Sequence, residues 1–142
     1  MLLYFAYGSN MSRARLQARV GVVRALGWAS LDHYRHAFDK HGEDGTAKGN
    51  IVRAPGETVH GVLFELRFDQ LEVLTVVEGG YSGVELSVLR RSTGALCAAR
   101  SFEALARVDG LAPSPEYLAH YRCGMEEHDL PSAYRAAILF PY

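Results

Sequence analysis

The six residues Leu2-Leu3-Tyr4-Phe5-Ala6-Tyr7 are all apolar or aromatic, and the run stops abruptly at Gly8. A short apolar run bounded by a turn residue reads as a buried strand. Ser9, Asn10 and Ser12 come next, and each is a residue type that caps helices. A helix is expected from Arg13 to Val20, ended by Gly21. The chain therefore opens with a strand, a tight turn and a helix, and whatever it folds into must bury that first strand.

The remaining segments alternate between strand and helix signals. Val22–Ser30 and His33–Phe38 read as strands, the second with Tyr34, His36 and Phe38 on one face. A polar, Gly-rich loop from His41 to Gly49 follows. Asn50–Ala54 and the alternating segment Val59–Leu66 form a hairpin around Pro55-Gly56-Glu57. Asp69 is expected to cap a helix over Gln70–Glu78, stopped by Gly79-Gly80. Val84–Arg91 and Leu96–Phe102 pair across Ser92-Thr93-Gly94. Ser114 caps a helix with Pro115 at its first position, running to about Gly124, and Pro131 opens a last helix through Ile138. Six or seven strands and four short helices, several strands joined by tight turns, give an α+β chain with a barrel or strongly curled, mainly antiparallel sheet. No repeat, linker or low-complexity tract interrupts it, so a single domain over residues 1–142 is expected.

Charge and composition narrow the function classes. With 15 basic and 16 acidic residues, the net charge is −1 and no basic stripe is present, which argues against nucleic acid as a partner. No apolar stretch approaches the roughly eighteen residues of a membrane span, and the start has no basic leader. The six His are scattered. His33 and His36, three apart on a strand, face opposite sides and do not share a metal. The two cysteines, Cys97 and Cys123, read as buried free thiols in a reducing cytoplasm.

Two features carry chemistry. The turn at Gly8 points several backbone N–H groups into one space, and the first N–H groups of the following helix add to them. Such a cradle suits a carboxylate or a developing oxyanion. Gly8, with no Cβ, lets a ligand approach closely. The same four residues also serve as a plain strand-to-helix connection. The second feature is Glu78. Leu71, Leu74 and Glu78 are spaced i, i+3, i+7 and share the face their helix buries. Burial and the helix C-terminus both raise a carboxyl pKa, as general acid/base work near neutral pH requires. Glu72 and Glu85 are further carboxylates that sequence does not rank firmly below it.

Leu3-Tyr4-Phe5-Ala6-Tyr7-Gly8-Ser9-Asn10-Met11 closely resembles the opening of the γ-glutamyl cyclotransferase-like family. Pro55–Val62, the segment Leu74-Thr75-Val76-Val77-Glu78-Gly79, Ala112-Pro113-Ser114-Pro115-Glu116-Tyr117 and Gly124 to Pro131 resemble further family segments in the same order. The resemblance implies a small mixed barrel flanked by helices and an L-γ-glutamyl small molecule as substrate, with no cofactor and no metal. It implies Glu78 as acid/base, Gly8, Ser9 and Asn10 as the glutamyl cradle, and Tyr7 and Tyr117 as pocket walls. Two departures stand out: Thr75 replaces a family Asp, and Phe102 replaces a Tyr. Tyr81 and Glu85 also place aromatics differently from the branch. An amide hydrolase or a silent binder on the same scaffold are the competing readings.

Overall fold

A computed structural model describes all residues from Met1 to Tyr142. The elements run β1 (Leu2–Ala6), a 3₁₀ turn (Ser9–Met11), α1 (Arg13–Val20), β2 (Arg24–His41), β3 (Ala47–Leu66), α2 (Phe68–Val77), β4 (Tyr81–Arg90), β5 (Ala95–Ala104), α3 (Pro115–Glu127) and α4 (Ser132–Leu139). The strands close a barrel in the order β1-β3-β2-β4-β5. Every pairing is antiparallel except the parallel β1–β5 contact at Tyr4 and Arg100, which shuts the barrel. The class is the expected α+β, with five strands where six or seven were expected.

The count differs because two expected breaks are bulges. His33, at φ 67°, interrupts the pairing between Asp32 and Tyr34 without ending β2. Opposite it, Pro55-Gly56-Glu57 bows out of the ladder while β3 continues, and the Gly56 N–H donates to His33 Nδ1 at 3.1 Å. Gly56 sits at φ 84°, a conformation a side chain would strain. A bulge bends a strand and increases its twist. Two strands of 18 and 20 residues can thereby follow the barrel wall and still reach beyond it.

Alternation along the strands sorts the core into two clusters. Phe5 of β1 and Tyr7 just past its end join Leu31, Leu63, Val88 and Ala99, a set drawn from all five strands that fills the barrel. Tyr4 and Ala6 face the other way, with Phe64 and Leu66, onto Met11, Leu16, Leu74 and Met125 of the covering helices. The helix signals hold at their capped ends. Ser12 Oγ accepts from Arg15 N–H, and Ser114 Oγ accepts from Tyr117 N–H. Two limits shift. Arg67, not Asp69, precedes α2, with its N–H donating to Gln70 Oε1 at 2.9 Å, while Asp69 pairs with the Arg67 guanidinium. And α3 runs past Gly124 to Glu127. The cysteines also depart from expectation: Cys97 is half-buried and Cys123 exposed, both as free thiols. No helix is long and apolar enough to cross a membrane.

Gly124 is where α3 meets the 3₁₀ turn. A Cβ there would stand 2.4 Å from the Met11 carbonyl carbon and 2.5 Å from the Ser12 nitrogen. Gly124→Ala is therefore expected to destabilise by about 1–3 kcal/mol through overpacking, despite alanine's better helix propensity. Gly83→Ala, where a Cβ meets nothing within 4 Å, should change stability by less than about 0.5 kcal/mol. Urea unfolding of both variants checks this.

Candidate active site

β1 delivers Tyr7 into the barrel and leaves Gly8 at its rim. The chain then turns tightly: Met11 N–H donates to Gly8 O at 3.0 Å and Ser12 N–H to Ser9 O at 3.3 Å. The N–H groups of Gly8, Ser9 and Asn10 take no part in these turn bonds. All three residues border a cavity of about 380 Å³. Gly8 also has a steric reason to be glycine. A Cβ there would lie 3.2 Å from the Tyr121 hydroxyl and 3.7 Å from that of Tyr117.

The same cavity takes Glu78. This residue ends α2 with φ −84° and ψ 55°, its N–H donating to Leu74 O at 2.8 Å. Its side chain is 17% exposed. Asn10 Nδ2 donates to Glu78 Oε1 at 2.8 Å, and Arg19 Nη1 approaches the same oxygen at 3.3 Å. Burial pushes the Glu78 carboxyl above the usual carboxylate range, although Arg19, Asn10, Arg15 and Lys40 all pull the other way. Desolvation wins because the carboxylate has given up most of its water for one amide and one guanidinium. Glu72 is exposed, and exposed Glu85 is 3.6 Å from Arg100, outside the cavity. The structure thus separates Glu78 from the other two carboxylates by place and by surroundings.

Asn10 ties the two features together. It is 3% exposed, and its Nδ2 also lies 3.1 Å from the Tyr4 hydroxyl. Its Oδ1 is buried with no partner. The aromatic walls are anchored by backbone. Tyr7 OH donates to Phe102 O, Tyr81 OH donates to Gly49 O at 2.7 Å, and Tyr117 OH accepts from Gly49 N–H at 2.9 Å. Phe102, where the resembling branch carries Tyr, lines the cavity, and exposed Thr75 does not, its hydroxyl spent on Leu71 O.

All six residues singled out from sequence (Tyr7, Gly8, Ser9, Asn10, Glu78 and Tyr117) line this one cavity. Sequence reasoning missed its cations. Arg15 and Arg19 sit four apart on α1, a spacing that puts both on one face and was legible. Arg15 Nε donates to Ser9 Oγ at 3.0 Å, bracing the cradle. Lys40 lies 5.0 Å from the Tyr81 ring centroid and Lys48 4.6 Å from that of Tyr117. They come from β2 and β3 and reach the cavity only through the barrel's long-range pairing, for which no local signal exists. No group of three His, Cys, Asp or Glu side chains is placed to hold a metal ion.

A family profile described as γ-glutamyl cyclotransferase, AIG2-like, matches residues 4–115. A γ-glutamylcyclotransferase of Bos taurus is 28% identical over 145 residues, covering 94% of this chain and 74% of the relative. Its counterpart from Mus musculus is 30% identical over 146 residues, with the same coverage. A solved structure titled "Gamma-glutamyl cyclotransferase" superposes with a TM-score of 0.87 at 26% identity, over 96% of this chain and 85% of that one.

Because burial raises the Glu78 carboxyl, the folded protein holds a proton there more tightly than the unfolded chain does. Stability is then lost as pH rises from the unfolded value of about 4.3 through the elevated folded one. Glu78→Gln should melt above wild type at neutral pH, and the gap should close as pH falls to about 4. Calorimetry across that range checks the sign.

Proposed function

The chain belongs to the AIG2-like γ-glutamyl cyclotransferase family, and from that premise we propose that it cyclises the glutamyl group of an L-γ-glutamyl amide. The products are 5-oxoproline and the released amine. The observation that carries the reading is the direct hydrogen bond from Asn10, a member of the backbone cradle, to the buried carboxyl of Glu78. One cavity thereby presents oxyanion donors and an acid/base group on the same ligand.

The chemistry follows from what each group holds. The substrate's α-ammonium gives a proton to the Glu78 carboxylate, and the freed amine attacks the γ-carbonyl carbon. A new C–N bond closes the five-membered ring, and the carbonyl electrons move onto oxygen. The N–H groups of Gly8, Ser9 and Asn10 take up that negative charge. Glu78 returns its proton to the departing nitrogen as the old C–N bond breaks and the carbonyl reforms, then takes the second proton from the ring nitrogen and hands it to the released amine, which leaves as an ammonium with Glu78 again a carboxylate. Nucleophile and electrophile belong to one molecule, so the pocket contributes by holding the chain bent. Correct orientation of that kind accounts for a large share of rate enhancement. A carboxyl raised toward neutrality by burial is suited to give back what it takes. Tyr7 and Tyr117 form walls, and no step calls on a metal or cofactor.

Lys40 borders the cavity as a cation stacked on Tyr81, while Lys48, over Tyr117, is paired with Asp44 at 3.2 Å. Lys40 favours a leaving group that carries a carboxylate, hence a γ-glutamyl amino acid or peptide over a simple γ-glutamylamine. The half-buried and exposed free cysteines support a reducing, cytoplasmic setting.

A panel of L-γ-glutamyl compounds, assayed for 5-oxoproline, tests the reaction. Wild type is expected to release it, and Glu78→Gln to lose about a hundredfold or more in kcat. Free glutamate in place of 5-oxoproline would indicate a hydrolase. Equal activity in the variant would move the acid/base elsewhere. Among substrates, Lys40→Met should raise KM for γ-glutamyl amino acids more than for γ-glutamylamines.

A further inference from the structure

Arg15 brings to the cavity a charge that the proposed mechanism leaves unanswered. It lies on α1, is half-buried and lines the cavity. Its Nε donates to Ser9 Oγ at 3.0 Å, and its Nη1 lies 3.1 Å from His120 Nε2. A guanidinium has donors only, so His120 Nε2 is the acceptor and the imidazole is neutral in this contact. Burial, Arg15 and Arg19 all hold the His120 pKa below its ordinary value, in keeping with that role. Both partners of Arg15 are therefore uncharged, and no carboxylate pairs with it. Burial first, and Arg19 one turn further on, pull the Arg15 pKa down. A cation partly stripped of water beside a second cation is costly until an anion joins it.

The other cations of the cavity stand differently. Arg19 is paired with Glu78, and Lys48 with Asp44. Lys40 has no carboxylate partner either, but its ammonium rests only on the Tyr81 ring. Arg15 is held at two nitrogens, so its plane is fixed before any ligand arrives. A fixed planar group loses little freedom on binding, and its remaining N–H groups suit the two oxygens of a carboxylate.

A γ-glutamyl group brings three polar groups to the site. In the reading above, its carbonyl oxygen goes to the cradle and its α-ammonium to Glu78. The α-carboxylate, on the same carbon as the ammonium, still needs a partner. That partner has to stand close to both Glu78 and the cradle. Arg15 holds Ser9 of the cradle and lies one turn before Arg19, which touches Glu78. We infer that Arg15, held in place by Ser9 and His120, binds the α-carboxylate of the substrate's glutamyl group. The inference rests on the cyclotransferase reading for the identity of that ligand. It makes a free α-carboxylate on the glutamyl group a requirement separate from any carboxylate of the leaving group.

Calorimetric titration with 5-oxo-L-proline and with its carboxamide, which differ only in that group, tests it without turnover. Wild type should bind the acid at least about tenfold more tightly, the scale of one hydrogen bond to a charged group. Arg15→Gln should shrink the preference below about twofold by weakening the acid and leaving the amide as it was. His120→Ala, which keeps Arg15 and Ser9, should lower the preference about threefold. Equal affinity for both ligands in wild type, or no affinity for the acid, overturns the inference. So does a preference that survives in Arg15→Gln, or one that His120→Ala leaves unchanged. Equal weakening of acid and amide in Arg15→Gln means that Arg15 only shapes the cradle, and overturns it too. Release of 5-oxoproline from γ-glutamyl compounds is read separately. Preference without release leaves the carboxylate site standing and defeats the cyclotransferase reading; release without preference defeats the carboxylate site alone.

Discussion

The hydrogen bond from Asn10 to Glu78 spans 68 residues of sequence and joins the two halves of the site. One end belongs to the turn that follows the first strand. The other belongs to the residue on which α2 ends. A carboxylate removed from most of its water is costly unless something replaces that water. Asn10 and Arg19 are the replacements, one the last residue of the cradle and the other on the helix that follows it. Position and protonation are therefore set together. Any movement of the Gly8–Asn10 turn away from α2 would leave Glu78 buried with half its partners gone. Breaking a buried pair from one side is more damaging than never forming it.

The barrel exists, from the site's point of view, to hold that turn still. Tyr4 and Phe5 lock β1 into the two cores on its opposite faces, and Gly124 lets α3 press directly on the backbone of Met11 and Ser12. The two long strands do something different. Their bulges carry β2 and β3 far enough to bring Lys40, Lys48 and Gly49 to the cavity's border. Gly49 then binds two of the wall tyrosines through its backbone, giving its N–H to Tyr117 and its carbonyl to Tyr81. Glycines at 8 and 49 leave space for hydroxyls where side chains would otherwise stand. The pocket wall is thus organised by backbone polarity as much as by side-chain packing.

The parts legible in the sequence were those with local causes. Ser12 and Ser114 announced their helices because a cap is a contact across three residues. Glu78 could be placed on a buried face because helical periodicity is local, and the strand–turn–helix at Gly8 was readable for the same reason. The bulges were not. A residue with positive φ inside a continuous strand looks, in sequence, like one in a turn, so His33 and Pro55-Gly56-Glu57 read as breaks. The cause assigned to the Glu78 shift was half right: burial leads, and the surrounding cations oppose it. Exposed Cys123 shows that a cysteine on a helix carries no burial information of its own. Lys40 and Lys48 owe their places at the cavity to pairings across the barrel, which no window of sequence contains.

A crystal structure of the protein with 5-oxoproline bound tests the central claim most directly. The account predicts the ring nitrogen within hydrogen-bonding distance of the Glu78 carboxyl and the ring carbonyl oxygen on the N–H groups of Gly8, Ser9 or Asn10. Product bound in that cavity with its ring nitrogen turned away from Glu78, or bound elsewhere altogether, would contradict it.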